Sequence, residues 1–104
     1  MIAVSEDPFI RKFLGDVLKR RGYTVVGANA ARTIDMIRSG NERVDLVITN
    51  SPAEFESVAE VPMLYIAAVP DPEIGSHFRA FRALQKPFLL DQLVAAVKEL
   101  VGRM

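Results

Sequence analysis

The sequence predicts a three-layer α/β/α sandwich around a five-stranded parallel sheet. Short apolar runs alternate along the chain with amphipathic stretches, the order expected of repeated βα units. Two runs, Val44 to Thr49 and VPMLYIAAV from Val61, are apolar almost throughout, as strands covered on both faces are. The links are short, which ties parallel neighbours together by right-handed crossovers.

MIAV reads as the first strand. Asp7-Pro8 then marks a helix start, the acid at the cap and the proline where its missing N–H costs nothing. Phe9 or Ile10, with Phe13, Leu14, Val17 and Leu18, recur at helical spacing, so one face of this helix is expected to be buried. Lys19, Arg20 and Arg21 crowd its last turn, where cations favour the negative helix end, and Gly22 closes it.

YTVVGA, Tyr23 to Ala28, is the expected second strand, and ANAARTIDMIRSG a short helix with Ile34, Met36 and Ile37 inward, ending at Gly40. Val44 to Thr49 is the third strand, PAEFESVAE a weak helix of about two turns, and VPMLYIAAV the fourth strand. PDPEIG is a loop, SHFRAF a short helix, and ALQ the stub of a fifth strand before Lys86-Pro87. LLDQLVAAVKELVGRM is an amphipathic helix through Leu93, Val94, Val97, Leu100 and Val101.

The bulk properties narrow the function classes. The chain of 104 residues is expected to be one domain, and its 13 Lys and Arg balance 13 Asp and Glu, leaving no net field to draw nucleic acid or an anionic membrane. Without cysteine there is no disulfide scaffold and no Cys-ligated zinc, and a reducing cytoplasm is the expected setting. MIAVSEDP turns acidic at once and does not read as a signal peptide. No apolar run approaches the roughly 20 residues of a membrane span.

In doubly wound sheets, ligands and reacting groups gather beyond the carboxyl ends of the strands, at the point where strand order reverses. The residues there are Ser5, Glu6 and Asp7 after the first strand, Asn50 and Ser51 after the third, Ala67 and Ala68 after the fourth, and Lys86 after the fifth.

Taken in this order, SEDPFIRKFL, RGYTVVGA, VDLVITN, VPMLYIAA and KPFLLDQL resemble the receiver domain of two-component response regulators. The resemblance spans essentially the whole chain and implies a flavodoxin-like receiver fold over residues 1–104. It also implies a site in which two acids after the first strand bind Mg²⁺ together with a phosphorylatable aspartate. A hydroxyl residue and a lysine then contact the phosphoryl group, and an aromatic on the fifth strand switches.

Carried over residue by residue, the acid pair falls on Ser5 and Glu6, with Asp7 just beyond. The acceptor falls on Asn50, the hydroxyl on Ala67, the lysine on Lys86 and the switch aromatic on Ala83. Only Lys86 keeps the family's residue. An amide has no anionic oxygen with which to form an acyl phosphate, and Glu6 alone keeps a carboxylate for the metal. The expectation is a pseudo-receiver without a catalytic residue or cofactor, in which Mg²⁺ binds weakly or not at all, with Glu6 and Asp7 the residual candidates.

With Asn50 neutral, Lys86 is expected to pair with Glu6 or Asp7 and close the site. Ala67 stands 17 positions after Asn50, and Ala67 to Lys86 is short as well and holds Pro70, Pro72 and Gly75, so the third and fourth helices are expected to be stunted. That remodels the face carrying Phe78, Phe81 and Leu84. The resemblance also implies a cis peptide at Lys86-Pro87.

Several residues invite sharper readings. His77 is the only histidine, but no ligand cluster accompanies it, and a solvated helix position suffices. Asn50 is expected to satisfy backbone N–H groups in the loop after its strand. Ser51 has no base in a recognisable triad, and packing accounts for Thr49. The glycines form no phosphate-binding loop.

The reading is therefore a signalling domain, not an enzyme, that acts on a partner protein or an output domain without aspartyl phosphorylation. The alternative is a small-ligand or enzymatic site in a pocket at the strand ends. A nucleic-acid module is disfavoured by the charge balance.

Overall fold

A computed structural model of the chain describes residues 1–68 and 73–102. The expected loop positions Pro70, Asp71 and Pro72 lie outside these, as do Val69 and the last two residues of the expected final helix.

The strands are β1 (Ile2–Ser5), β2 (Val25–Gly27), β3 (Leu46–Thr49), β4 (Met63–Ala67) and β5 (Phe81–Gln85). The α-helices are α1 (Pro8–Arg20), α2 (Ala30–Ser39) and α3 (Leu90–Val101). All pairings are parallel and the sheet order is β2-β1-β3-β4-β5. Order reverses between β1 and β3, which places the switch point there. Register sets Ser5 beside Thr49 and Thr49 beside Tyr65, so the chain leaves β1 and β3 at the same level with Glu6 and Asn50 as neighbouring exits.

Period-two alternation splits the core into two layers. Ile2, Val4, Leu46, Ile48, Leu64 and Ile66 pack against Leu14 and Leu18 of α1 and Leu93, Val97 and Leu100 of α3. Ala3, Val47 and Met63 face the opposite layer, with Phe55, Val58, Phe78 and the inner side of α2. Each fully buried Leu or Ile contributes about 1.5–3 kcal/mol of transfer free energy.

Capping explains where the helices begin and end. Asp7 accepts from the N–H groups of Phe9 and Ile10 at 3.0 and 3.1 Å, and Asn29 from Arg32 N at 2.8 Å. Gly40, at φ 70°, ends α2 in the left-handed region that glycine enters without strain.

The third and fourth helices are stunted as expected, and further than a weak α-helix. Pro52–Val58 and Ile74–His77 are 3₁₀ turns, the second packing Ile74 onto the layer that holds Phe55 and Phe78. The expected helix over SHFRAF does not form. The 3₁₀ turn ends at His77, and Phe81 already belongs to β5, which is a full strand and not a stub. Pairing of Met63 with Phe81 and Ala67 with Gln85 supplies ladder bonds that a short helix with little inward surface cannot match.

Other boundaries are narrower than expected: β2 keeps only three residues and β4 five. In α1, Ile10 and not Phe9 packs inward; Phe9 is 80% exposed and Phe13 44%. The buried stripe runs through Leu14 and Leu18, and Phe9 and Phe13 fall beside it. In α2 the fully buried side chain is Thr33, whose hydroxyl donates to Asn29 O at 2.8 Å, while Ile34, Met36 and Ile37 pack half-buried on the core. The Lys86-Pro87 peptide is cis.

Candidate functional site

Glu6 is the first residue beyond β1, and its side chain is fully buried. Its Oε2 accepts from Asp7 N at 3.3 Å, while Oε1 has no hydrogen-bond partner. The nearest cation is Lys86, whose ammonium stands 3.7 Å from Oε1 with its side chain 30% exposed. That is an ion pair longer than a hydrogen bond. Burial is the main cause that raises the Glu6 pKa above its usual value, and Asp7 adds to it, while Lys86 and the Asp7 N–H pull it back in part.

The expected Lys86 contact therefore forms, and it chooses Glu6. Asp7 is exposed and its Oδ1 is engaged in capping α1.

Asn50, just beyond β3, is exposed, and its Oδ1 accepts from Ser51 Oγ at 3.2 Å. It does not cap the loop as expected. The fully buried Thr49 does so, its Oγ1 accepting from Ser51 N at 3.0 Å. A polar residue closing an otherwise apolar strand was the signal for this, since such a side chain needs a partner when buried.

Ala67 ends β4 half-buried, Ala68 is exposed, and both lend carbonyls to the neighbouring strand end. Lys86 N donates to Ala67 O at 2.8 Å and Gln85 Nε2 to Ala68 O at 3.1 Å. These two bonds fix the backbone from which Lys86 reaches Glu6. Ala83 pairs with Tyr65 and is exposed, so β5 carries no aromatic at that place. Ser5 is half-buried at the end of β1.

His77 lies far from this cluster in sequence and pairs with Glu56, both exposed. Phe78 is buried and Phe81 and Leu84 are half-buried.

Mg²⁺ requires several hard oxygen ligands in near-octahedral geometry. Here one buried carboxylate faces an ammonium, a second caps a helix, and the remaining donors are neutral. Among the described residues no group of three metal-ligating side chains converges. This donor set does not fit the metal. No helix among the described residues is long and apolar enough to cross a membrane.

No family model matches the chain, and no curated protein does. Solved structures do match. A response regulator receiver protein from Sinorhizobium medicae aligns at TM-score 0.75 and 22% identity, over 97% of this chain and 92% of that one. One from Burkholderia phymatum aligns at TM-score 0.78 and 19% identity, over 97% and 94%. The Vibrio cholerae chemotaxis protein CheY4 aligns at 0.71 and 19%, over 95% of each chain. At these identities the likeness is one of fold, and the chain has the receiver fold over nearly its whole length.

Proposed function

We propose that the chain is a pseudo-receiver: a cytoplasmic signalling domain of the two-component type that transmits through protein–protein contact and without aspartyl phosphorylation. The observation that carries this reading is Asn50 at the end of β3, where the receiver fold presents its acceptor. Its amide oxygen has no anionic lone pair to attack a phosphoryl group, and among the described residues no metal cradle stands ready to neutralise the incoming charge.

The rest of the site supports the same reading. Lys86, which would hold a phosphoryl oxygen, pairs instead with Glu6. Ala67 offers no hydroxyl. The shape of the site is thus set by groups internal to the chain and does not wait on a modification. A partner protein or an output domain would read that single conformation. Phe9, Phe13, Leu89 and Leu90 are exposed, and a partner would have apolar side chains to cover on α1 and at the start of α3.

The test is intact mass after incubation with Mg²⁺ and a small phosphodonor, on the native chain and on Asn50→Asp. The native chain is expected to gain nothing. Phosphate on the variant alone would trace the silence to Asn50. No phosphate on either would show that Ala67 and the Glu6–Lys86 pair close the site as well. Phosphate on the native chain would refute the proposal.

A further inference from the structure

β2 is an outermost strand of the sheet, and its three residues, Val25–Gly27, include no proline or charge to guard the open edge. Thr24 O and Ala28 N are bonded to β1. By the alternation of a parallel ladder, Val25 and Gly27 therefore turn their N–H and C=O groups outward.

Each face of this edge opens into a groove. On one side, α1 and β2 border an open groove of about 340 Å³ lined by Arg11, Lys12, Asp16, Lys19, Val25 and Gly27 among others. On the other, α2 and β2 border an open groove of about 300 Å³, lined by Val26, Arg32, Asp35 and Met36 among others. An extended chain laid along β2 would send alternate side chains into the two grooves.

Charge separates the grooves. The first presents three cations against one carboxylate, and the second sets Arg32 against Asp35 and Glu42. Arg11 is the most telling residue. It is half-buried and lies across the α1 side of Gly27, so that a Cβ there would fall 2.3 Å from Arg11 Cδ. Neither Arg11, Lys12 nor Lys19 forms an ion pair with a described residue. Gly27 thus lets an unpaired guanidinium lie over the edge strand, where it can meet a carboxylate in bidentate fashion.

We infer that the β2 edge binds an extended acidic segment of a partner protein, which pairs with the outward backbone groups of Val25 and Gly27 and sets alternate carboxylates against Arg11, Lys12 and Lys19. This is strand addition with a charged specificity groove. It does not depend on the state of Asn50, because it uses only β2 and α1.

The test titrates the ¹⁵N-labelled chain with a capped heptapeptide alternating Glu and Thr. Saturable shifts and slowed exchange are expected at the Val25 and Gly27 amides. Arg11→Gln should weaken binding about tenfold, the scale of one lost charge-assisted hydrogen bond. Gly27→Ala, whose methyl displaces Arg11, should weaken it too, while Lys98→Gln on α3 should leave it unchanged. A peptide with Lys in place of Glu should not bind. The inference is overturned if the Val25 and Gly27 amides stay unmoved. Equal binding by a shuffled Glu-Thr peptide overturns it also, as do the same shifts produced by inorganic phosphate, which would reduce the groove to a general anion site.

Discussion

Lys86 holds its ammonium 3.7 Å from Glu6 Oε1, across the carboxyl end of the sheet, and Glu6 is the side chain that burial hides completely. The two residues leave β1 and β5, strands separated in the sheet by β3 and β4. Their contact closes the middle of the site. A buried ion pair of this length is not a strong source of stability, because desolvation of the carboxylate offsets much of the attraction. Its consequence is positional, since it gives Lys86 an internal partner.

That arrangement fixes a pH dependence. The Glu6 carboxyl is raised above its usual value of 4.5, chiefly by burial, so the folded chain holds this proton more tightly than the unfolded one. The contribution of the protonated group is fully present below pH 4.5 and is lost as pH rises through the higher folded value. Glu6→Gln removes that loss. Denaturant midpoints measured from about pH 4 to 7 should fall with rising pH in the native chain relative to the variant. At neutral pH the variant should match or exceed the native chain, because Lys86 is part-exposed and can turn to water.

Asn50→Asp should return a carboxylate to the site beside buried Glu6. The cost should be that of like charges on neighbouring strands, about 0.2–1 kcal/mol, and it should shrink in Mg²⁺, which neutralises the pair. Thermal melts with and without Mg²⁺ check this: the variant's midpoint should rise with the metal and the native chain's should not. A rise in the native chain would show that Glu6 and its neutral neighbours suffice as ligands.

Much of this was legible in the sequence, for stateable reasons. β3 and β4 announced themselves as continuous apolar runs because both their faces are covered. The shortness of Asn50 to Ala67 left no room for a long helix. With Asn50 neutral, Glu6 and Asp7 were the carboxylates left for Lys86 at the strand ends, and it pairs with Glu6. Other features were hidden because tertiary contacts decide them. SHFRAF contains apolar residues at spacings that a short helix and a strand both permit, and only pairing with β4 settles Phe81 into β5. Phe9 and Phe13 fit a helical stripe as well as Ile10 does, yet the face of α1 that meets the sheet runs through Ile10, Leu14 and Leu18 and leaves both phenylalanines beside it. Thr49 looked like packing because its partner, Ser51 N, lies in the loop that it shapes.

Phe55 anchors the 3₁₀ turn that replaces the third helix, fully buried among Val47, Val58 and Met63. Phe55→Ala should cost about 3–5 kcal/mol, a large share of a small domain's stability. Phe9→Ala, at an 80% exposed position, should stay within about 0.5 kcal/mol. Chemical denaturation of the two variants checks the contrast. A mild effect at Phe55 would mean that the turn is not held by the core.

Asp7 offers a way to separate its two possible roles. As the cap of α1 it accepts from Phe9 N and Ile10 N through Oδ1, so Asp7→Ala should lose about 1 kcal/mol. Asp7→Ser should keep most of that stability, because a hydroxyl oxygen caps nearly as well as a carboxylate. A residual metal ligand would behave differently: in the Asn50→Asp background, Ser and Ala at position 7 would both abolish the Mg²⁺ response. The expected outcome is that Asp7→Ser in that background keeps both its stability and its Mg²⁺ shift. The metal would then draw on Glu6 and the carboxylate introduced by the Asn50→Asp change, with Asp7 serving only the helix.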